Sequence, residues 1–278
     1  ILVAASPLII IHAFSNWDIP AIAFAVGALL AISRHRPWLA GILIGLGTAF
    51  KLWPIFLLGA FFVLAWRNRR WDAFAKVTVA TAAAWLAVNL PIALKYPAAW
   101  AEFFRLNQER GAEWTTLYAL ISRNLGISFS QDFLNTFSLV AFILLCAGIA
   151  LAGWRSPLTP RVAELVFLIV AAFLLVNKVW SPQYSLWLVV PAALAVPRWR
   201  LVLGWALADA LVWPLLMWHM LGIDNKGIPH ELLDVAILVR DGFIIAMAVI
   251  VLRQMWNKTE DKVRAAHMGR DPVAGVFQ

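Results

Sequence analysis

Asn177-Lys178-Val179-Trp180-Ser181-Pro182-Gln183-Tyr184 interrupts two apolar runs, Val162 to Val176 and Ser185 to Val196. Neither run spans a bilayer comfortably. At ~1.5 Å per residue the longer one reaches about 22 Å, against a hydrocarbon core of about 30 Å. This places a lysine, an asparagine, a glutamine and a tyrosine below the membrane surface. Such groups are costly in lipid, so they are expected to face protein or a wet cavity. A polar cluster at that depth is a candidate functional site.

Composition sets the class around this break. The chain is 63% hydrophobic and 14% charged, with 16 tryptophans among 278 residues. That is the composition of a polytopic, all-α membrane protein rather than of a soluble domain. Apolar segments run over 1–14, 19–33, 38–50, 55–66, 73–94, 133–153, 162–176, 185–196, 201–219 and 232–252. Cys146, the single cysteine, lies inside one of them and has no internal disulfide partner; it reads as a small buried hydrophobe. The chain opens at Ile1, without Met and within an apolar segment, and reads as the C-terminal part of a longer protein.

The isoelectric point of about 10.1 would suit a nucleic-acid binder, but the placement of the basic residues argues for membrane topology. Short basic connections at 34–36, 67–70, 155–161 and 197–200 alternate with mixed-charge ones at 15–18, 95–132, 177–184 and 221–231. The alternation holds if 38–66 is a hairpin turning at Lys51-Leu52-Trp53-Pro54, where the proline breaks the helix. One face then carries 15 of the 23 Lys and Arg residues, and the positive-inside rule makes it cytoplasmic. Two short helix pairs, 38–66 and 162–196, each broken by a Lys and a Pro, open on the other face and suggest one outward cavity. Residues 1–256 form the membrane domain in this reading, and 257–278 a loosely ordered cytoplasmic tail. In the long connection Lys95 to Asp132, Thr115 to Leu125 has the periodicity of a short interfacial helix.

No soluble-enzyme motif occurs, neither P-loop, GxGxxG, HExxH nor nucleophile elbow. The five histidines lack ligand spacing, so no metal and no cofactor are expected. Lys51 and Lys178 either neutralise a phosphate or snorkel to the interface. Asp18 either caps its helix or accepts hydrogen bonds from sugar hydroxyls, a role open also to Asn177, Gln183 and Tyr184. Trp53, Trp180 and Trp114 either stack on a sugar or belong to the interfacial belt. Glu109, Arg110 and Glu113 are either solvated loop charges or a general base and cation folded over the cavity. Asp209 and Arg240, at similar depth on consecutive antiparallel helices, are expected to form a structural ion pair, with Asp241 nearby; a catalytic or gating role is the alternative.

Asn16-Trp17-Asp18 leading a helix, Leu39 to Gly47 running into Lys51-Leu52-Trp53-Pro54, and Asn177-Lys178 followed by Ser181-Pro182-Gln183-Tyr184-Ser185-Leu186-Trp187 resemble glycosyltransferase family 87. This family of actinobacterial membrane proteins includes polyprenyl-phosphate-mannose-dependent mannosyltransferases. The resemblance implies a GT-C fold in the plasma membrane and inverting, metal-independent transfer on the extracytoplasmic side. The implied partners are a polyprenyl-phosphate sugar donor, a lipid or glycan acceptor of the cell envelope and the bilayer, without nucleic acid. For such a donor the expected phosphate-binding residues are Lys51, Lys178 and Arg110. The family's catalytic carboxylate is expected in the first external loop, upstream of Ile1, which leaves Asp18 and Glu109 as lesser candidates here. A transporter or flippase of lipid-linked sugar and a non-catalytic envelope-assembly protein are the alternatives.

Overall fold

The computed structural model describes residues 2–278, and every regular element in them is helical. In chain order these are α1 (Pro7–His12), α2 (Asp18–Ser33), α3 (Pro37–Phe50), α4 (Leu57–Asn68), α5 (Trp71–Lys95), α6 (Pro97–Glu109), α7 (Leu117–Leu125), α8 (Gln131–Arg155), α9 (Val162–Val176), α10 (Leu186–Ala195), α11 (Trp199–Met220), α12 (His230–Met255) and α13 (Lys262–Ala266). Single 3-10 turns, Trp53–Phe56 and Pro182–Ser185, lead into α4 and α10. Helices α5, α8, α11 and α12 are each long and apolar enough to cross a membrane. The protein is an all-α polytopic membrane protein.

The direction of α3 settles the hairpin. Gly41 lies against Val77 and Ala80 of α5, and Gly45 against Thr81 and Ala84, so α3 and α5 run parallel. These two glycines, four residues apart, let the helix backbones touch in the small-xxx-small manner of membrane helix pairs. The end of α4 meets the start of α5 through Phe62, which packs on Trp71 and Phe74, so these two run antiparallel. Hence α3 and α4 are antiparallel, and the chain reverses at Lys51–Phe56. The hairpin inferred from the charge pattern is present.

As a consequence the basic connections gather at one end. Arg67 donates to the Gly153 carbonyl at the end of α8. The buried Arg161 donates to Asp261 and to the carbonyls of Leu194 and Ala195 that end α10. Arg198 reaches the Glu260 carbonyl.

Helix α9 occupies the centre and is buried along nearly its whole length, as a helix apolar on every side should be. It packs against α4, α8, α10 and α12. Helices α5 and α8 instead turn many large apolar side chains outward, among them Leu86, Ile143 and Leu144, the surface a bilayer covers.

Two elements differ from expectation. The mixed-charge connection after Lys95 contains α6, started by Pro97 at its first position. On α6, Arg105 pairs with Glu102 and Glu109, one turn to either side. Phe103 and Phe104 remain exposed on the same helix, an interfacial pattern diluted at the sequence level by charges. The tail is not loose. Phe277 is fully buried and stacks on Phe61 at 5.0 Å, and Asn68 donates to its carbonyl. Asp271 accepts from the Val162 N–H at the start of α9. The tail's few apolar residues are too sparse to form an amphipathic run, yet they find slots among the ends of α2, α4 and α9.

Candidate functional site

The opposite end of the bundle collects the polar residues of the 177–184 break. The break is extended because α9 stops at Asn177, and Pro182 opens the next turn. Asn177 donates to the Val179 carbonyl two residues on, closing a local loop. The segment from Gln108 to Thr116 then folds over the break. Glu113 N–H donates to the Lys178 carbonyl at 2.9 Å. Ser181 Oγ donates to Glu113 Oε1 at 2.7 Å, and Thr115 Oγ1 donates to the Trp180 carbonyl. The long loop does fold over the break, and it packs down on it.

This changes the reading of Lys178. Its ammonium donates to the Arg110 carbonyl at 2.6 Å and the Gln108 carbonyl at 3.3 Å. The residue is 6% exposed. A lysine near a helix C-terminus satisfies carbonyls that lack intrahelical partners. Lys178 thus fastens the end of α6 to the break, with at most one donor left for a phosphate.

Lys51 sits in the other break, and its side chain keeps 18% exposure. It lies 3.8 Å from Asp18 Oδ2 and 5.6 Å above the Tyr184 ring. Asp18 is fully buried, and its Oδ1 accepts from Trp187 Nε1 at 2.7 Å. Asp18 has a charge partner and an indole donor, and as the first residue of α2, with Trp17 at the N-cap position and no side-chain cap hydrogen bond there, it does not cap the helix. The Trp187 ring stacks on Tyr184 at 4.3 Å and on Trp53 at 6.3 Å. Lys51, Asp18, Tyr184 and Trp187 therefore form one layered cluster that bridges the two breaks, and Lys178 lies outside it. Trp187 stands inside an apolar run, 169 residues from Asp18, and no local signal marks it as that aspartate's partner.

Other candidates fall elsewhere. Trp53 and Trp180 are 2% and 1% exposed, so they are core side chains and present no face to a sugar. Trp180 instead stacks under the Arg240 guanidinium at 3.5 Å and donates to Ser185 Oγ. Trp114 is exposed and packs edge-on against His219. Glu109 pairs with Arg105 at the exposed surface of α6. Glu113 faces the break, with Arg110 3.6 Å from its second oxygen. The Arg110 side chain is 45% exposed. Gln183 and Tyr184 are half-buried at the same mouth.

The expected Asp209–Arg240 ion pair is replaced by a chain of contacts. Arg240 binds its neighbour Asp241 at 2.8 Å and the Thr115 carbonyl at 2.7 Å. Asp209 accepts from Ser185 at 2.9 Å. Trp180 contacts Arg240 and donates to Ser185, which donates to Asp209, so the two residues are linked through the 180–185 segment rather than by a direct ion pair. Depth along α11 and α12 does not reveal the 180–185 segment that contacts both residues. Among the described residues no cluster of three or more His, Cys, Asp or Glu side chains is placed to hold a metal ion.

Comparison with known proteins adds what the geometry leaves open. The sequence model of glycosyltransferase family 87 matches residues 1–182. GPI mannosyltransferase 1 of Kluyveromyces lactis is 25% identical over 178 residues, covering 59% of this chain and 43% of the relative. The chain thus spans less than half of that relative's length. No solved structure matches significantly. The matched stretch runs through Asp18, Lys51 and Lys178 and ends before Gln183, Tyr184 and Trp187, and the chain belongs to glycosyltransferase family 87.

Proposed function

We propose that this membrane glycosyltransferase moves a sugar, mannose in the first instance, from a polyprenyl-phosphate donor to a cell-envelope lipid or glycan. The site lies on the face away from the basic loops, which the positive-inside rule makes extracytoplasmic, in the plasma membrane. The tail, at the basic end, is then cytoplasmic. The observation that carries this reading is that the charged residues gathered at the two breaks and the loop over them, Asp18, Lys51, Arg110, Glu113 and Lys178, all fall inside the family-matched stretch.

In this reading Arg110 and Lys51 are the cations left to meet a lipid phosphate at headgroup depth. Arg110 offers a forked donor set that suits phosphate oxygens. Asp18 fixes Lys51 and Trp187, and Lys178 fixes the loop that carries Arg110 and Glu113. Tyr184, Gln183 and Asn177 line the mouth as hydrogen-bonding partners for sugar or acceptor hydroxyls. The acceptor oxygen bonds the anomeric carbon from the face opposite the phosphate while the carbon–phosphate-oxygen bond breaks, which inverts the configuration. The polyprenyl phosphate leaves with its charge facing Arg110 and Lys51. The hydroxyl proton needs a carboxylate. Of the two loop glutamates, Glu113 is held at the break by Ser181 whereas Glu109 is paired with Arg105 on α6, so Glu113 takes the proton.

The test is transfer of labelled mannose from polyprenyl-phosphate-mannose to envelope lipid extract by the protein reconstituted in vesicles. Glu113→Gln and Arg110→Gln should each lower transfer by about 100-fold or more, while Glu109→Gln leaves it nearly intact. Movement of the donor across the bilayer without transfer would overturn the proposal in favour of a flippase.

A further inference from the structure

At the opposite, basic end the helices leave a cleft of about 550 Å³ lined by Trp66, Arg67, Arg69, Trp71 and Trp154. It opens where α4 ends, α5 begins and α8 ends. We propose that this cleft binds the headgroup of an anionic phospholipid from the leaflet on the basic-loop side.

Three independent features point to that ligand. The first is charge. Arg67 uses one guanidinium nitrogen, Nη1, to hold the carbonyls of Gly153 and Trp154 and the Ser156 hydroxyl. Its other nitrogens make no hydrogen bond among the described residues. Arg69 is exposed, and its guanidinium likewise has no hydrogen bond or ion pair among them. The nearest acid in sequence, Asp72, is paired with Lys76 at 3.7 Å. Two cationic forks therefore line one cleft with donors unspent, and a bidentate match to phosphate oxygens is their best use.

The second feature is the walls. Trp66 and Trp154 stack nearly parallel at 5.4 Å and 10°. Both stay 40–46% exposed, as does Trp71 at 45%. Tryptophans at helix ends favour the headgroup level of a bilayer, where an apolar ring and a polar N–H are both accommodated. A paired indole wall beside arginines supplies an apolar surface for the glycerol backbone and upper chains directly below the phosphate.

The third is position. The cleft lies at the start of α5, a 25-residue helix. Its free N–H groups and dipole favour an anion. The whole end is basic, and juxtamembrane Lys and Arg side chains attract anionic lipids. A soluble anion would use the charge but not the exposed indole wall, which is why the lipid headgroup is the occupant proposed.

Native mass spectrometry of the full chain in neutral detergent tests this, with phosphatidylglycerol as the probe. The wild type should retain one phosphatidylglycerol at concentrations where phosphatidylcholine is not retained. Arg69→Gln should weaken that retention about fivefold, with an unchanged melting curve, since Arg69 is exposed. Trp154→Leu should weaken it by a similar factor. Arg36→Gln, at the same end but outside the cleft, should leave it unchanged. Equal weakening by Arg36→Gln would reduce the effect to general surface attraction and overturn the site. Equal retention of phosphatidylcholine, or displacement of the lipid by millimolar inorganic phosphate, would overturn it too.

Discussion

Replacing Lys178 with methionine separates its structural role from phosphate binding. The ammonium holds the carbonyls of Arg110 and Gln108 at 2.6 and 3.3 Å. A hydrogen bond to a charged donor contributes about 1.5–3 kcal/mol, and the two carbonyls, on exposed residues, can turn to water once the ammonium is gone. Methionine keeps the stem's packing but neither bond. Without the short bond and the longer one, closure of the 108–116 loop over the break should weaken by about 3 kcal/mol. That corresponds to roughly a hundredfold more frequent opening. The readout is hydrogen exchange of the peptide covering 108–116 in detergent, where the Glu113 N–H is protected by the Lys178 carbonyl. Exchange elsewhere in the bundle should hold steady. If exchange at 108–116 is unchanged while donor binding is abolished, the reasoning is refuted and Lys178 is a phosphate ligand.

Three further outcomes follow from the packing. Asp18→Ala removes both the Lys51 partner and the Trp187 acceptor, and should destabilise the protein by about 3 kcal/mol; Asp18→Asn, which can still accept from Trp187, should cost about half as much in a denaturation series. Gly45→Ala would drive a methyl into the Thr81 carbonyl oxygen, forcing α3 from α5 at a cost of about 3 kcal/mol or more, whereas Gly148→Ala meets nothing within 4 Å and should be neutral or slightly stabilising by melting temperature. Phe277→Ala should weaken tail docking by about 3–5 kcal/mol, read as faster trypsin cleavage after Arg264 and Arg270; unaltered cleavage would mean that the polar contacts of Asp261 and Asp271 hold the tail without the ring.

Much of the fold is legible in the sequence because bilayer physics makes it a one-dimensional problem. Hydropathy length marks each apolar helix, and Pro54 and Pro182 mark where two of them break. The distribution of arginines implies the α3–α4 reversal without any knowledge of helix contacts. Helix α6 and the tail escape for the opposite reason. Arg105, Glu102 and Glu109 dilute the apolar signal of one, and the tail's anchor is a single buried ring.

The candidate site is legible as a set of residues but not as a set of partnerships. Sequence alone determined that the protein is a helical membrane bundle with two polar breaks on one face and basic loops on the other, because burial of backbone and charge in lipid leaves few alternatives. Only the tertiary structure decided what each polar group touches. Lys178 is bound to helix-end carbonyls, Lys51 to Asp18, Asp209 to Ser185 and Arg240 to Asp241. A hydrogen bond is settled within a few tenths of an ångström by elements distant in the chain, a scale that depth along a single helix does not specify.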